Sequence, residues 1–188
     1  MISAVVLAAG SSTRFEATKQ LAVVRGKTLV QHAVDAAASA VGEVIVVLGH
    51  DADAIEAGLA LPPNARLVRN ARFAEGQSTS LAAGIAACAP GSEAAVVLLG
   101  DQPGIREDHV RALATVFEDT GAEILRLRFR DGPGPTLLAR AVWSELEAIA
   151  GDVGARALFD ADPGRVRWIA VDEDAPADVD APEDLERA

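Results

Sequence analysis

The 188-residue chain has one cysteine, one methionine, no tyrosine and 4% aromatic residues. The lone Cys88 has no partner for an internal disulfide, which points to a reducing, cytoplasmic location. Positive charge is scarce too. The 17 Lys and Arg residues stand against 28 Asp and Glu, a net charge of −11. That balance argues against nucleic acid or an anionic membrane as the main partner. No apolar run reaches the length of a membrane span. The N-terminus lacks the basic segment and apolar core of a signal peptide. Linkers, internal repeats and low-complexity tracts are absent, so one domain over residues 1–188 is expected. Two phosphate-binding patterns are missing as well: no G-x-G-x-x-G follows the first apolar run, and G-x-x-x-x-G-K-[ST] does not occur. A phosphate ligand must therefore be met by a local basic cluster or by a metal ion.

What is present begins with Val5-Val6-Leu7-Ala8-Ala9-Gly10-Ser11-Ser12-Thr13-Arg14, followed at a short distance by Lys19. The apolar run does not alternate and reads as a strand buried on both faces. The small residues after it let the backbone approach a ligand, and their N–H groups can cradle phosphate. Arg14 and Lys19 add positive charge. The alternative is an ordinary strand-to-helix turn with two solvated basic residues.

Three more apolar runs read as strands: Glu43 to Gly49, the shorter Arg66 to Asn70, and Ala94 to Gly100. Helical spacing follows Thr28, a plausible N-cap, through Leu29, Val30, Ala33, Val34 and Ala37, with His32 on the amphipathic face. Further helices are expected over Asp51 to Leu59, from the Gly76-Gln77-Ser78 segment to about Ala89, and over Glu107 to Thr120. Glu123 to Phe129 alternates apolar and basic residues, as a strand with one wet face does. Gly132-Pro133-Gly134-Pro135 reads as a rigid turn and Ala139 to Ala150 as a helix. A short helix to Phe159, a strand over Val166 to Val171 and a terminal turn over Pro182 to Arg187 complete the chain. Strands alternating with helices imply a three-layer α/β/α sandwich with a mainly parallel, Rossmann-like sheet. Ligands of such sheets sit at the carboxyl ends of strands, where strand order reverses. The loops Ala8–Lys19 and Gly100–Gly104 both lie at such ends.

Asp101 follows a buried strand and is held by Gly100 and Pro103. Mg²⁺ takes one or two carboxylates plus substrate phosphates and water, so this residue is a candidate ligand; a turn aspartate bonding its own backbone is the rival. Asp180 is a second candidate, with an N-cap role before Pro182 as its rival. Ser78 and Ser80 open a helix, where they could meet a nucleoside or phosphate, or simply cap it. Gly151-Asp152-Val153-Gly154-Ala155-Arg156 suits a loop that closes on an anionic substrate, although Asp152 is also a plausible cap. Cys88 reads as a small buried apolar residue, and Trp143 and Trp168 as core. Phe73 lies in a loop.

Several segments occur together and in order: Leu7-Ala8-Ala9-Gly10-Ser11-Ser12-x-Arg14, Lys19-Gln20-Leu21, Glu75-Gly76-Gln77-Ser78-x-Ser80-Leu81-x-x-Gly84, Leu99-Gly100-Asp101-Gln102-Pro103, Gly151-Asp152-x-Gly154-Ala155-Arg156 and Asp178-Val179-Asp180-x-Pro182. The chain thereby resembles the MobA-like nucleotidyltransferases, most closely the molybdenum cofactor cytidylyltransferases of the MocA type, over essentially its whole length. The resemblance implies the nucleotide-diphospho-sugar transferase fold. It also implies transfer of CMP from CTP to the terminal phosphate of molybdopterin, with Mg²⁺ as cofactor and a client molybdoenzyme as recipient. In that family Leu7 to Arg14 hold base and phosphates, Arg14 and Lys19 offset triphosphate charge, and Asp101 holds the metal. Ser78, Ser80, Gly100 and Asp101 face the nucleotide, whereas Gln102, Gly151, Asp152, Gly154 and Arg156 face the pterin. Glu16 departs from the family's usual glycine, and Gly132 to Pro135 from a His-Pro form. Ala9 stands where guanylyl-transferring relatives carry glycine. The resemblance thus favours CTP over GTP, since a methyl group there would crowd a purine. Alternatives are GTP as donor, another cytidylyl- or sugar-nucleotidyltransferase, and a non-catalytic cofactor carrier.

Overall fold

The computed structural model describes residues 1–10, 18–179 and 181–186. β1 (Ile2–Ala8) starts the chain and is buried along its length. A single 3₁₀ turn over Lys19–Leu21 leads to the hairpin β2 (Val23–Val24) and β3 (Lys27–Thr28). Then follow α1 (Leu29–Ala40), β4 (Glu43–Leu48), α2 (Ala52–Gly58), β5 (Ala65–Arg69), α3 (Gln77–Ala87), β6 (Ala94–Leu99) and α4 (Glu107–Thr120). The last third contributes β7 (Ile124–Arg128), β8 (Pro133–Ala139), α5 (Trp143–Leu146), α6 (Arg156–Ala161) and β9 (Val166–Ala170). Thr28 caps α1 as expected, its side chain accepting the Gln31 N–H at 3.3 Å.

Seven strands form one sheet in the order β5-β4-β1-β6-β8-β7-β9, parallel except for β8, which runs against both neighbours. Successive residues of a strand point to opposite faces, and the continuous apolar runs serve both layers. Ala4, Val6 and Ala8 of β1 join α1 and α4 on one face, while Val5 joins α3, α5 and α6 on the other. The fold is thus the expected three-layer, Rossmann-like sandwich.

Three local readings are corrected. Gly132 to Pro135 is not simply a turn: Pro133 begins β8, which lies between β6 and β7. Its ladder with β6 covers only Thr136 to Ala139, so Pro133 and Pro135 lie past those bonds and their missing N–H groups cost nothing there. The expected helix over Ala139 to Ala150 shrinks, because Ala139 completes β8 and a 3₁₀ turn over Arg140–Val142 precedes the four-residue α5. Trp168 sits on the edge strand β9 and is 39% exposed, not core.

Candidate functional site

Strand order reverses between β1 and β6, which lie side by side in the sheet while their sequence neighbours run to opposite edges. The loops after these two strands therefore share one crevice. The Gly100 N–H donates to the Leu7 carbonyl at 2.9 Å and closes the join. From the end of β1, Leu7, Ala8, Ala9 and Gly10 approach the crevice. The Ala9 carbonyl accepts the His50 N–H at 3.2 Å, and the Gln20 side chain donates to the Gly10 carbonyl at 2.9 Å. Among the described residues, a Cβ placed on Gly10 would meet nothing within 4 Å. Ala9 is only 4% exposed and packs in the apolar layer with Val5, Val47 and Leu81. Ser11, Ser12, Arg14 and Glu16 lie outside the described residues, as does Asp180.

The 3₁₀ turn after that loop delivers Lys19 into the crevice, where its Nζ donates to Asp101 Oδ2 at 2.9 Å. The ammonium is nearly sequestered, with the Lys19 side chain 9% exposed. The other oxygen, Asp101 Oδ1, is buried with no hydrogen-bond partner among the described residues. Burial pushes the Asp101 carboxyl above its ordinary range; the Lys19 charge and hydrogen bond, and a bond from the residue's own backbone, oppose that shift, and Asp178 adds to it. A buried carboxylate with one unmet oxygen beside a second acid is short of positive charge. It could take a divalent cation, and no set of three acidic, His or Cys side chains is gathered among the described residues. A donor set of one or two carboxylates completed by phosphate oxygens and water is the habit of Mg²⁺.

The C-terminal segment returns to this loop. The Val179 N–H donates to the Asp101 carbonyl at 3.2 Å, Gln102 donates to Asp178 Oδ1 at 2.6 Å, and Val179 is buried against Val24 and Leu29. The approach of residues 178–179 to Asp101 was not legible from spacing.

Two segments far apart in sequence interlock on the other side. Asp152 Oδ1 accepts the Gln77 N–H at 3.2 Å, so Asp152 caps the start of α3 and not the helix that follows it. Gly76 has φ +116°, and a Cβ there would fall 2.4 Å from the Gly151 carbonyl carbon. Gly154, at φ +51°, would place one 2.5 Å from Gln77 Oε1. Side chains at these glycines would prise the Gly151–Arg156 loop from α3. The Ser80 hydroxyl is taken by Asn70, whose Nδ2 donates to it at 3.0 Å and to Thr79 Oγ1 at 2.9 Å. The Ser78 hydroxyl is buried and has no partner among the described residues. Asn70, directly after β5, is a positioning residue the sequence reading passed over.

A cavity of about 290 Å³ opens beside these loops, with Leu7, Leu99, Gln102, Arg126, Arg156 and Phe159 among its walls. Gln102 and Arg156 were expected on the acceptor side. Arg126 was not singled out, although the alternation along β7 had marked its wet face. Elsewhere, His32 Nε2 bonds the Val24 carbonyl at 2.8 Å. Burial pushes the Cys88 thiol up to about 11, which removes it as a nucleophile at neutral pH.

Comparison with known proteins agrees with this geometry. The family profile described as the MobA-like NTP transferase domain matches residues 4–166. Rv0371c of Mycobacterium tuberculosis H37Rv superposes with a TM-score of 0.87 at 33% identity, over 99% of this chain and 95% of that one. Its complex with manganese superposes with a TM-score of 0.83 at 33% identity, over 99% and 96%. Mth528, a nucleotidyl transferase of Methanothermobacter, gives 0.84 at 27% identity, over 100% and 95%. The bifunctional protein GlmU of Alcanivorax borkumensis is 32% identical over 136 residues, 71% of this chain and 29% of that protein. The chain spans less than a third of that relative's length. Among the described residues, no helix is long and apolar enough to cross a membrane.

Proposed function

We propose, from the premise that this chain belongs to the MobA-like NTP transferase family, that it transfers CMP from CTP to the terminal phosphate of molybdopterin. The products are molybdopterin cytosine dinucleotide and pyrophosphate. The observation that supports this best is the Lys19–Asp101 pair at the strand-order reversal, with Asp101 Oδ1 buried and without a hydrogen-bond partner among the described residues. In this reading the backbone from Leu7 to Ser12 takes the base and phosphates, and Lys19 and Arg14 offset the triphosphate charge. Asp101, with Asp180, holds Mg²⁺; when bound, the metal neutralises charge on the phosphate oxygens.

An acceptor phosphate oxygen forms a bond to the α-phosphorus of CTP, the bond from that phosphorus to the bridging oxygen of the β-phosphate breaks, and the electron pair leaves with pyrophosphate. The nucleophile is already ionised at neutral pH, so alignment and charge neutralisation are what the protein must supply. Gln102, Gly151, Asp152, Gly154 and Arg156 take the acceptor side. The Asp152 cap and the interlocked glycines support that role, because they fix the loop against α3. In this reading Ser78, whose hydroxyl is buried without a partner among the described residues, takes the nucleotide side, whereas Ser80 acts through Asn70. The choice of CTP rests on the resemblance to the MocA type. The expected setting is the cytoplasm, with a molybdoenzyme receiving the product.

Pyrophosphate release from CTP and from GTP, each with Mg²⁺ and molybdenum cofactor, tests the reading. Release from CTP alone is expected. Release from GTP alone would overturn the donor, and release from neither would overturn molybdopterin as the acceptor, in favour of another acceptor or a carrier.

A further inference from the structure

Arg126 is a half-buried cation on a cavity wall, and no carboxylate pairs with it among the described residues. This is unusual in a chain with 28 acidic side chains. Arg69 holds Asp53 and Glu56, Arg106 holds Asp108 and Glu173, and Arg165 holds Glu123 and Glu145. Arg126 instead lies under aromatic rings, its guanidinium carbon 4.9 Å from the Phe159 ring centre and 5.6 Å from that of Trp168. One long bond, Nε to the Gly134 carbonyl at 3.4 Å, engages one of its five N–H donors.

The neighbouring charge makes the position costlier. Arg156 lines the same cavity, and its only ion pair among the described residues is with Asp160, at 3.3 Å between two exposed side chains. Burial, then the charge of Arg156, weakens the hold of Arg126 on its proton, and the Asp160 carboxylate offsets them only in part. The carboxylate of Asp178 also lines the cavity but is held by the Gln102 side chain at 2.6 Å, and the two like charges, with donors to spare, form a site that an anion completes. The strand pattern explains how it arises. Leu125 and Leu127 belong to the opposite apolar layer, so Arg126 must face the cavity. The extension of β8 past its ladder with β6 leaves Pro133 to Pro135 as the cavity rim and keeps that face uncovered.

We propose that Arg126, together with Arg156, grips the phosphate monoester of the acceptor, so that the protein selects acceptors ending in a phosphate dianion. The proposal deepens the transferase reading and rests on it for the word acceptor. Two guanidiniums can hold two phosphate oxygens and leave the third to attack. Gln102 lines the same cavity and adjoins Asp101 in sequence, which joins this subsite to the candidate metal position.

The test separates the subsite from the overall reaction. Protein saturated with α,β-methylene-CTP, which fills the nucleotide side, is titrated calorimetrically with phenyl phosphate and with phenol. Phenyl phosphate is expected to bind and phenol not. R126M should weaken the binding by about 10- to 100-fold, the loss of a charge-assisted bidentate contact. R126K, which keeps the charge but not the fork, should fall between. R156M, at an exposed position, serves if R126M does not fold, and should also weaken binding. In turnover, R126M should raise the KM for the acceptor and leave that for CTP unchanged. Equal binding of phenyl phosphate by wild type, R126M and R156M would overturn the proposal, as would no binding by the wild type. If molybdopterin is not a substrate but R126M still loses phenyl phosphate, the reading of molybdopterin as acceptor fails and the subsite stands.

Discussion

Replacing Asp101 by Asn should leave the protein as stable as before and remove its activity. The folded state holds this carboxyl above its ordinary value of 3.8, chiefly through burial. A raised carboxyl value means that folding favours the neutral side chain. The cost is absent below the ordinary value and grows as pH rises above it. Asparagine mimics the neutral form and still accepts from Lys19 through its amide oxygen. It exchanges a charged hydrogen bond for a neutral one, a loss of about 1 kcal/mol. Relief of carboxylate burial and of repulsion from Asp178 offsets a loss of that size. The net change in urea unfolding at pH 7 is therefore expected within about 1 kcal/mol, and acidification below pH 4 should change the difference in favour of the wild type.

Metal response should separate the two proteins sharply. At 100 times its dissociation constant, a divalent ion stabilises the folded wild type by about 2.7 kcal/mol. For a chain of this size that is roughly 5–11 °C in Tm. D101N should show little of that shift with Mg²⁺ or Mn²⁺, and pyrophosphate release should fall by about 100- to 1,000-fold, the scale of losing one electrostatic stabiliser. A loss of stability above about 2 kcal/mol, or an undiminished thermal shift with metal, would refute the reasoning.

Further substitutions probe the neighbouring parts. Lys19→Met takes the Nζ donor from a carboxylate whose other oxygen has no partner among the described residues; urea unfolding should show a loss of about 1–3 kcal/mol. Asp152→Ala removes the cap on α3 and should cost about 0.5–2 kcal/mol in the same assay. Gly76→Ala forces a side chain into φ +116° and against Gly151; the Gly151–Arg156 loop should loosen, read as faster hydrogen exchange at Gln77. With its thiol pushed up to about 11, Cys88 should resist iodoacetamide at pH 7.5 in the folded protein and react readily in denaturant.

The sandwich and its crevice were legible because they are written in local pattern. The apolar runs of β1, β4 and β6 are long enough to be buried on both faces, and the abrupt stops at Gly10 and Gly100 mark their carboxyl ends. Asp101 stood out because it follows such a run at the same end of the sheet as the phosphate-type loop of the first strand; by itself it read equally well as a turn aspartate. What escaped depends on partners distant in sequence. β8 was hidden because Pro-Gly-Pro signals a turn, and only its position past the β6 ladder makes proline acceptable in a strand. Asp152 was legible as a cap, but the helix it caps begins 75 residues away. Arg126 carried a visible signal, the basic face of β7, yet a wet strand face and a cavity wall look alike until Phe159 and Arg156 are brought over it.

The most direct test of the account follows the α-phosphorus. Wild-type protein is incubated with Mg²⁺, molybdenum cofactor and CTP labelled at the α-phosphate. The account predicts label in a cytosine dinucleotide of molybdopterin, with one unlabelled pyrophosphate released per label transferred. Label remaining in CTP, or appearing in CDP with release of the terminal phosphate alone, would contradict it.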